Sequence, residues 1–438
     1  MRTNRQLKSG SMIRYNFGSI GLNMASVGIA AWILFVYQPP GEEPLVPIVF
    51  LSAIGFIAGL WDGIIDPFIG TWSDNMRSRW GRRKPFILFG TPAMIFLFVF
   101  IWMPPTENQS IMNGIWLLSV LVLYRTAFSC VGMPYDAVLA ELAPGTDERV
   151  VLSSWKMVFG ILGYVLSMVI MPVFSGTFGM KGSAVIVSAV ILVTMYISMG
   201  TFPESERSNS QEKITLRDSF KYTFSNRDFL VLLISTVLAR VTWDMTLSIS
   251  PFFVTQIIGW SEGMTVVFQG GVILLMLGSI PLWHFLRKKM SDKYVLFTAM
   301  IGMGIAMFTN YFILPTGGLS LIPGIITFSS TGIFIGGYMI MSYAMMGNVV
   351  DSDERKTGRR REAVYYGAFS FAVNMGGTLA LTILPLLLGH LGNSTENPMG
   401  IRVSFIVAAA AALISGFILL GYTLPTYTEE LPAQRPEQ

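Results

Sequence analysis

Charge is scarce in this chain. Asp, Glu, Lys and Arg make up 13% of its 438 residues, about half of the ~25% usual in a soluble domain. Apolar residues make up 52%, far more than so few polar groups can screen from water. An ordinary water-soluble enzyme and a disordered chain are both excluded. Cysteine is limited to Cys130, which rules out an internal disulfide framework. Histidine is limited to His284 and His390, so no histidine-based metal or catalytic set is indicated. No G-x-x-x-x-G-K-[ST], H-E-x-x-H or G-x-S-x-G stretch is present, which leaves no P-loop, zinc-protease or hydrolase signature. No enzyme activity and no organic or metal cofactor is expected.

What the chain does have is long apolar runs. About 20 apolar residues are needed for a helix to cross a bilayer. Twelve runs qualify: Ile13–Tyr37, Val46–Trp72, Phe86–Met103, Asn113–Ala140, Leu152–Phe174, Gly182–Phe202, Phe229–Ile257, Met264–Leu286, Tyr294–Leu314, Leu319–Val350, Ala363–Leu391 and Ile401–Tyr422. They lack the period-2 alternation of barrel strands. The segment before the first run is polar, and that run is too long for the core of a cleavable signal. The chain is therefore expected to be an all-α integral membrane protein of a plasma (inner) membrane, with the lipid bilayer as its solvent.

Positive charge alternates along the chain. Arg2, Arg5, Lys8 and Arg14 precede span 1. Arg77, Arg79, Arg82, Arg83 and Lys84 follow span 2. Arg287, Lys288, Lys289 and Lys293 follow span 8, and Arg355, Lys356, Arg359, Arg360 and Arg361 follow span 10. The loops after spans 1, 3, 7, 9 and 11 carry no Lys or Arg. The positive-inside rule then predicts both termini in the cytoplasm. Because the basic residues flank membrane spans, the net charge of +4 does not indicate nucleic-acid binding.

The longest connection, Pro203–Asp228, divides six spans from six. Its second half, with Ile214, Leu216, Phe220, Tyr222 and Phe224 among Lys213, Arg217 and Lys221, is expected as a short surface helix. The organisation expected is a six-helix bundle over 1–202, a cytoplasmic loop over 203–228, a second bundle over 229–424 and a tail over 425–438. A repeat supports the division. Asp147-Glu148-Arg149 after span 4 recurs as Asp353-Glu354-Arg355 after span 10, at equivalent loops of the two halves. Parallel six-span halves are the build of major facilitator transporters, with substrate bound between them at mid-membrane.

Ionisable residues inside these spans point to function. One at a span centre costs about 2.5–3.5 kcal/mol on insertion scales, so it is kept for a reason. Asp62 and Asp66 lie four residues apart in span 2, on one helix face. Two such carboxylates are stable together only with a cation or proton between them, which is the chemistry of a coupling-ion site. The alternative is a structural set satisfied by a basic neighbour. Arg125 in span 4 and Arg240 in span 7 are candidates for that, or for binding substrate. Asp244 follows Arg240 by one turn and can neutralise it. Lys156 lies about a turn inside span 5, where it binds substrate or snorkels to the interface. Asp136 near the end of span 4 is within reach of polar groups there. Trp61, Tyr124, Trp155 and Trp243 lie close to these charges; a ring face suits a sugar, although core packing is the commoner role.

The stretch Trp61-Asp62-Gly63-Ile64-Ile65-Asp66-Pro67, followed by Gly70, Ser73-Asp74 and Arg77-Ser78-Arg79-Trp80-Gly81-Arg82-Arg83-Lys84-Pro85, resembles the signature of the glycoside–pentoside–hexuronide:cation symporters. These include the melibiose carriers and belong to the major facilitator superfamily. Pro134-Tyr135, Ala140-Glu141-Leu142 and Asp147-Glu148-Arg149 agree, as do Asp351, Asp353-Glu354, Thr357-Gly358, Arg360-Arg361-Glu362 and Tyr366-Gly367. The resemblance implies that Asp62 and Asp66 bind the coupling cation, Na⁺ or H⁺, with the Ser129 hydroxyl contributing. It implies that Asp74, Arg79, Arg82, Arg83, Asp147, Glu148, Arg149, Asp353, Glu354, Arg360 and Arg361 form gating contacts that break as the halves rock.

The departures bear on substrate. Where melibiose carriers have sugar-binding acids, this sequence has Asn23 and Gly132. A lysine of theirs corresponds to Asn374, and Arg125 stands where they have a small residue. Substrate contacts are therefore expected from Asn23, Arg125, Lys156, Arg240 and Asn374, with Tyr124 and Trp243. The expected function is symport of a sugar or sugar derivative with a monovalent cation, by a monomer. An acidic sugar is ahead of a neutral glycoside, because a guanidinium binds carboxylate bidentately. A lysophospholipid-like amphiphile, or a non-transporting sensor or scaffold, are the alternatives.

Overall fold

The computed structural model describes residues 9–76, 78–143, 146–202, 225–313, 321–357 and 362–424. Its regular structure there is entirely helical, with no strand among the described residues. Among the described residues ten helices are long and apolar enough to cross a membrane. One of them, Thr146–Met199, has 54 residues. Straight, it would extend about 80 Å, against ~30 Å for the hydrocarbon core. It is broken at Gly179 (φ 67, ψ 172), a conformation that only glycine adopts without strain. It therefore holds two crossings, α5 over 146–178 and α6 over 180–199. The sequence reading expected a loop between them; a single glycine makes the break.

The remaining helices are α1 Ser9–Tyr37, α2 Ile48–Asn75, α3 Lys84–Ile101, α4 Ile111–Leu142, α7 Arg227–Phe252, α8 Thr265–Gly278, α9 Asp292–Asn310, α10 Leu321–Thr357, α11 Glu362–Leu391 and α12 Met399–Leu419. After Pro251, α7 widens into a π-helical turn, Phe253–Ile258. A short helix, Ile280–Arg287, extends α8. Among the described residues α1–α12 match the twelve spans read from the sequence. The expected surface helix of the central loop, the tail from 425, Arg77, Arg360 and Arg361 lie outside the described residues. So do the side chains of Asp74, Asp147 and Arg149.

Two compact units are present, Met1–Ser210 and Gln211–Gln438. Within the first, α1 packs along α5 and α6, while α2 and α3 both pack on α4. At the α1–α5 crossing a Cβ on Gly163 would lie 2.3 Å from the Ile20 carbonyl oxygen, so glycine is what permits backbone contact. Tyr15 and Tyr135 stack with centroids 4.7 Å apart. Each hydroxyl donates to the other's backbone carbonyl at 2.9 Å, which ties α1 to α4. Asn113 is fully buried and binds the Leu45, Thr106 and Asn108 carbonyls, joining the loops at one end of this unit.

In the second unit α7 packs against α11 and α12, and α10 against α8 and α9. Hydroxyls and an indole reach backbone carbonyls between helices. Thr242 donates to Ala408 at 2.8 Å, Ser415 to Ser235 at 2.7 Å and Trp283 to Ile333 at 2.8 Å. Such bonds matter here because apolar packing distinguishes one helix orientation from another only weakly in lipid. Large apolar side chains such as Phe68, Leu274 and Ile322 are exposed, as lipid-facing residues must be.

Candidate functional site

Asp62 and Asp66 occupy successive turns of α2, and Arg125 and Ser129 occupy successive turns of α4. The two pairs meet in register. Arg125 Nη1 lies 3.4 Å from Asp62 Oδ2, and Ser129 Oγ donates to Asp66 Oδ1 at 2.5 Å. The equal offset shows that α2 and α4 run in the same direction. A third contact, Trp61 Nε1 donating to Thr126 Oγ1 at 2.9 Å, sets the same register. Pro67 follows Asp66 inside α2; lacking an N–H, it leaves the Gly63 carbonyl without its usual helical partner.

The Asp62 and Arg125 side chains are only 17% and 25% exposed, and Ser129 is buried. Arg125 Nε and the Tyr124 hydroxyl are buried without a hydrogen-bond partner among the described residues. Like charges about 4 Å apart repel by about 4 kcal/mol at an effective dielectric constant of 20, so one guanidinium strongly conditions which other cation this cluster accepts.

Lys156, expected at the substrate, is joined instead to Asp136, Nζ to Oδ1, at 2.6 Å. Lys156 also lies 5.6 Å from the Tyr135 ring centroid. Asn23 is exposed, its Nδ2 donating to the Ser19 carbonyl at 2.9 Å. It sits against Gly160, where a Cβ would come within 3.0 Å of that Nδ2. Asn23 of α1 thus lies against α5 one turn from Lys156.

In the second unit Arg240 Nε donates to Asp244 Oδ2 at 2.6 Å within α7. Trp243 is half-buried beside them. The sequence reading missed what backs this pair, Gly376-Gly377 of α11. A Cβ on Gly377 would lie 2.7 Å from Asp244 Oδ2, and one on Gly376 2.8 Å from Arg240 Cβ. The adjacent glycines two residues after Asn374 were the available signal. Asn374 itself is exposed and contributes its carbonyl to Thr378.

Among the gating candidates, Arg79 is exposed with its guanidinium carbon 4.7 Å from the Trp80 ring centroid. Arg83 and Asp353 are buried, while Arg82, Glu148 and Glu354 are half-buried. Asp292 was not anticipated. It accepts from Arg287 Nε at 2.7 Å and from Asn348 Nδ2 at 3.2 Å, binding the turn between α8 and α9 to α10 just before Asp353.

A family model described as MFS/sugar transport protein matches residues 14–427. The chain belongs to that family. The MFS/sugar transport assignment bears out the resemblance read from the Trp61–Pro67 stretch, the all-α fold and the expectation of a membrane transporter, not an enzyme. The chain is 22% identical to the glucuronide carrier protein homolog of Escherichia coli (strain K12), over 96% of this chain and 93% of that one. It is 21% identical to the sodium-dependent lysophosphatidylcholine symporter 1 of Gallus gallus, over 86% and 78% respectively. The crystal structure of the nucleoside transporter NupG shares the fold, with a TM-score of 0.69, 12% identity, and coverage of 95% of this chain and 99% of that one.

Proposed function

We propose that this MFS/sugar transport protein is a cation-coupled symporter of a sugar or sugar derivative, working by alternating access. The observation that carries the reading is the α2–α4 cluster. Asp62 and Asp66 face Arg125 and Ser129 inside an apolar bundle, where unneeded carboxylates are costly. The relatives named symporters and carriers support the same reading.

The ion pairs favour a neutral substrate over the acidic one expected from sequence. Arg125 is paired with Asp62, Arg240 with Asp244 and Lys156 with Asp136. None of these three candidate cations is left to neutralise a substrate carboxylate. A paired guanidinium and carboxylate still present outward donors and acceptors together, which suits hydroxyls that both donate and accept. Asn23 and Asn374 add the same dual character. The substrate proposed is a neutral glycoside or pentoside.

Uptake into proteoliposomes, driven by imposed H⁺, Na⁺ or Li⁺ gradients, tests this against a panel of glycosides, pentosides, uronides and lysolipids. A neutral sugar is expected to accumulate above equilibrium. Accumulation of uronides alone would reverse the charge argument, and accumulation of lysolipids alone would replace the sugar reading.

Both termini are proposed to be cytoplasmic in the cell membrane. In a background carrying Cys130→Ser, a cysteine introduced at Pro40 is expected to react with an impermeant maleimide from outside intact cells. One introduced at Arg79 is expected to react only after permeabilisation. The opposite pattern would invert the topology.

A further inference from the structure

We propose that Arg125 is a tethered cation that bars alkali-metal ions from the α2–α4 cluster and so sets the ion selectivity of this chain. The inference rests on the symport reading and narrows it.

An alkali ion bound in protein needs several oxygen ligands and no fixed positive charge beside them. The side-chain oxygens of the two facing pairs are those of Asp62, Asp66 and Ser129. Asp62 Oδ2 already faces Arg125 Nη1 at 3.4 Å. Asp66 Oδ1 already accepts from Ser129 Oγ at 2.5 Å. Among the described residues, Arg125 is the cation that pairs with a carboxylate of this cluster. It supplies the positive charge that one of the two carboxylates, Asp62, requires, and leaves Asp66 with the neutral Ser129 hydroxyl.

A guanidinium does this permanently. It does not deprotonate under ordinary conditions, and its attachment to α4 means it cannot leave with a substrate. It also occupies far more space than a bare metal ion. The contact to Asp62 is through a single nitrogen, and Arg125 Nε is buried with no acceptor among the described residues. Within those residues Asp62 is therefore the carboxylate that balances its charge. Arg125 also lies on the same α4 face as Ser129, one turn away, so removing it would return Asp62 to the oxygen set without moving Ser129 or Asp66.

Calorimetric titration of the purified full-length protein with NaCl and LiCl, against choline chloride, tests the proposal. The native protein is expected to show no saturable Na⁺ or Li⁺ binding. Arg125→Ser and Arg125→Gln are expected to acquire it, with a gain in affinity on the order of 1,000-fold. Arg125→Lys keeps a tethered charge and is expected to stay blind to both ions. Saturable Na⁺ binding by the native protein would overturn the proposal, whatever the variants do. So would its absence in both neutral variants when their circular dichroism and thermal unfolding match the native protein. The symport reading fails separately: it falls if no H⁺, Na⁺ or Li⁺ gradient drives accumulation of any panel substrate, a result that leaves the calorimetric selectivity intact.

Discussion

Asp66→Asn is expected to abolish gradient-driven accumulation while leaving the protein folded. Asparagine has nearly the shape of aspartate, and its carbonyl oxygen can still accept the Ser129 hydroxyl that now bonds Oδ1 at 2.5 Å. What disappears is the negative charge. A coupled transporter needs a group whose interaction with the ion differs between states, and a ligand with no such difference shifts no equilibrium. Substrate exchange down its own gradient should persist, whereas accumulation should fall to the equilibrium level. Asp62→Asn should differ in kind. It strips Arg125 of its partner at 3.4 Å and leaves a half-buried guanidinium uncompensated, so stability should fall along with transport. Proteoliposome uptake paired with thermal unfolding in detergent separates the two. Undiminished accumulation in both variants would remove the carboxylates from the coupling mechanism.

Asp244→Asn carries the second large effect, this time on stability. Asp244 is 9% exposed in its side chain and accepts from Arg240 Nε at 2.6 Å. Breaking a buried pair by removing one partner typically costs about 3–5 kcal/mol, because the other charge remains. Arg240 is 35% exposed, so the cost should sit at the lower end of that range, about 3 kcal/mol. Arg240→Gln with Asp244→Asn together removes both charges and should recover most of the loss. Transport should stay impaired in the double variant if the pair also faces substrate. A cycle of thermal unfolding midpoints measures the coupling; additive losses would show that the two side chains do not act as a unit. Substituting Gly377 by alanine should mimic part of the effect, since a Cβ there would lie 2.7 Å from Asp244 Oδ2.

Much of this protein is legible without coordinates, because its strongest signals are local. Bilayer thickness dictates the length of an apolar run, so the twelve spans can be counted. The alternation of Arg and Lys between loops predicts their direction. The spacing of Asp62 and Asp66 puts both on one face of α2, and the spacing of Arg240 and Asp244 makes their pairing an i, i+4 matter. The Trp61–Pro67 and Arg77–Pro85 stretches led to the family. Each of these depends only on residues close together in the chain.

The partners of the other charges depend on something else. Asp62 and Arg125 are 63 residues apart, as are Asp66 and Ser129. Whether they meet is decided by the rotation of α2 and α4 about their own axes and by how far one is slid along the other. The bond from Trp61 to Thr126 and the shared direction of the two helices express that register; no periodicity within either helix specifies it. In the same way Lys156 found Asp136 across two helices. Gly376-Gly377 proved to be the backing of the Arg240–Asp244 pair because α11 approaches α7 closely enough to need them. Sequence by itself determined which residues are charged, which lie in membrane-spanning helices and which share a helix face. Only tertiary structure decided which opposite charges touch, because axial register and helix rotation arise from packing summed over whole helices.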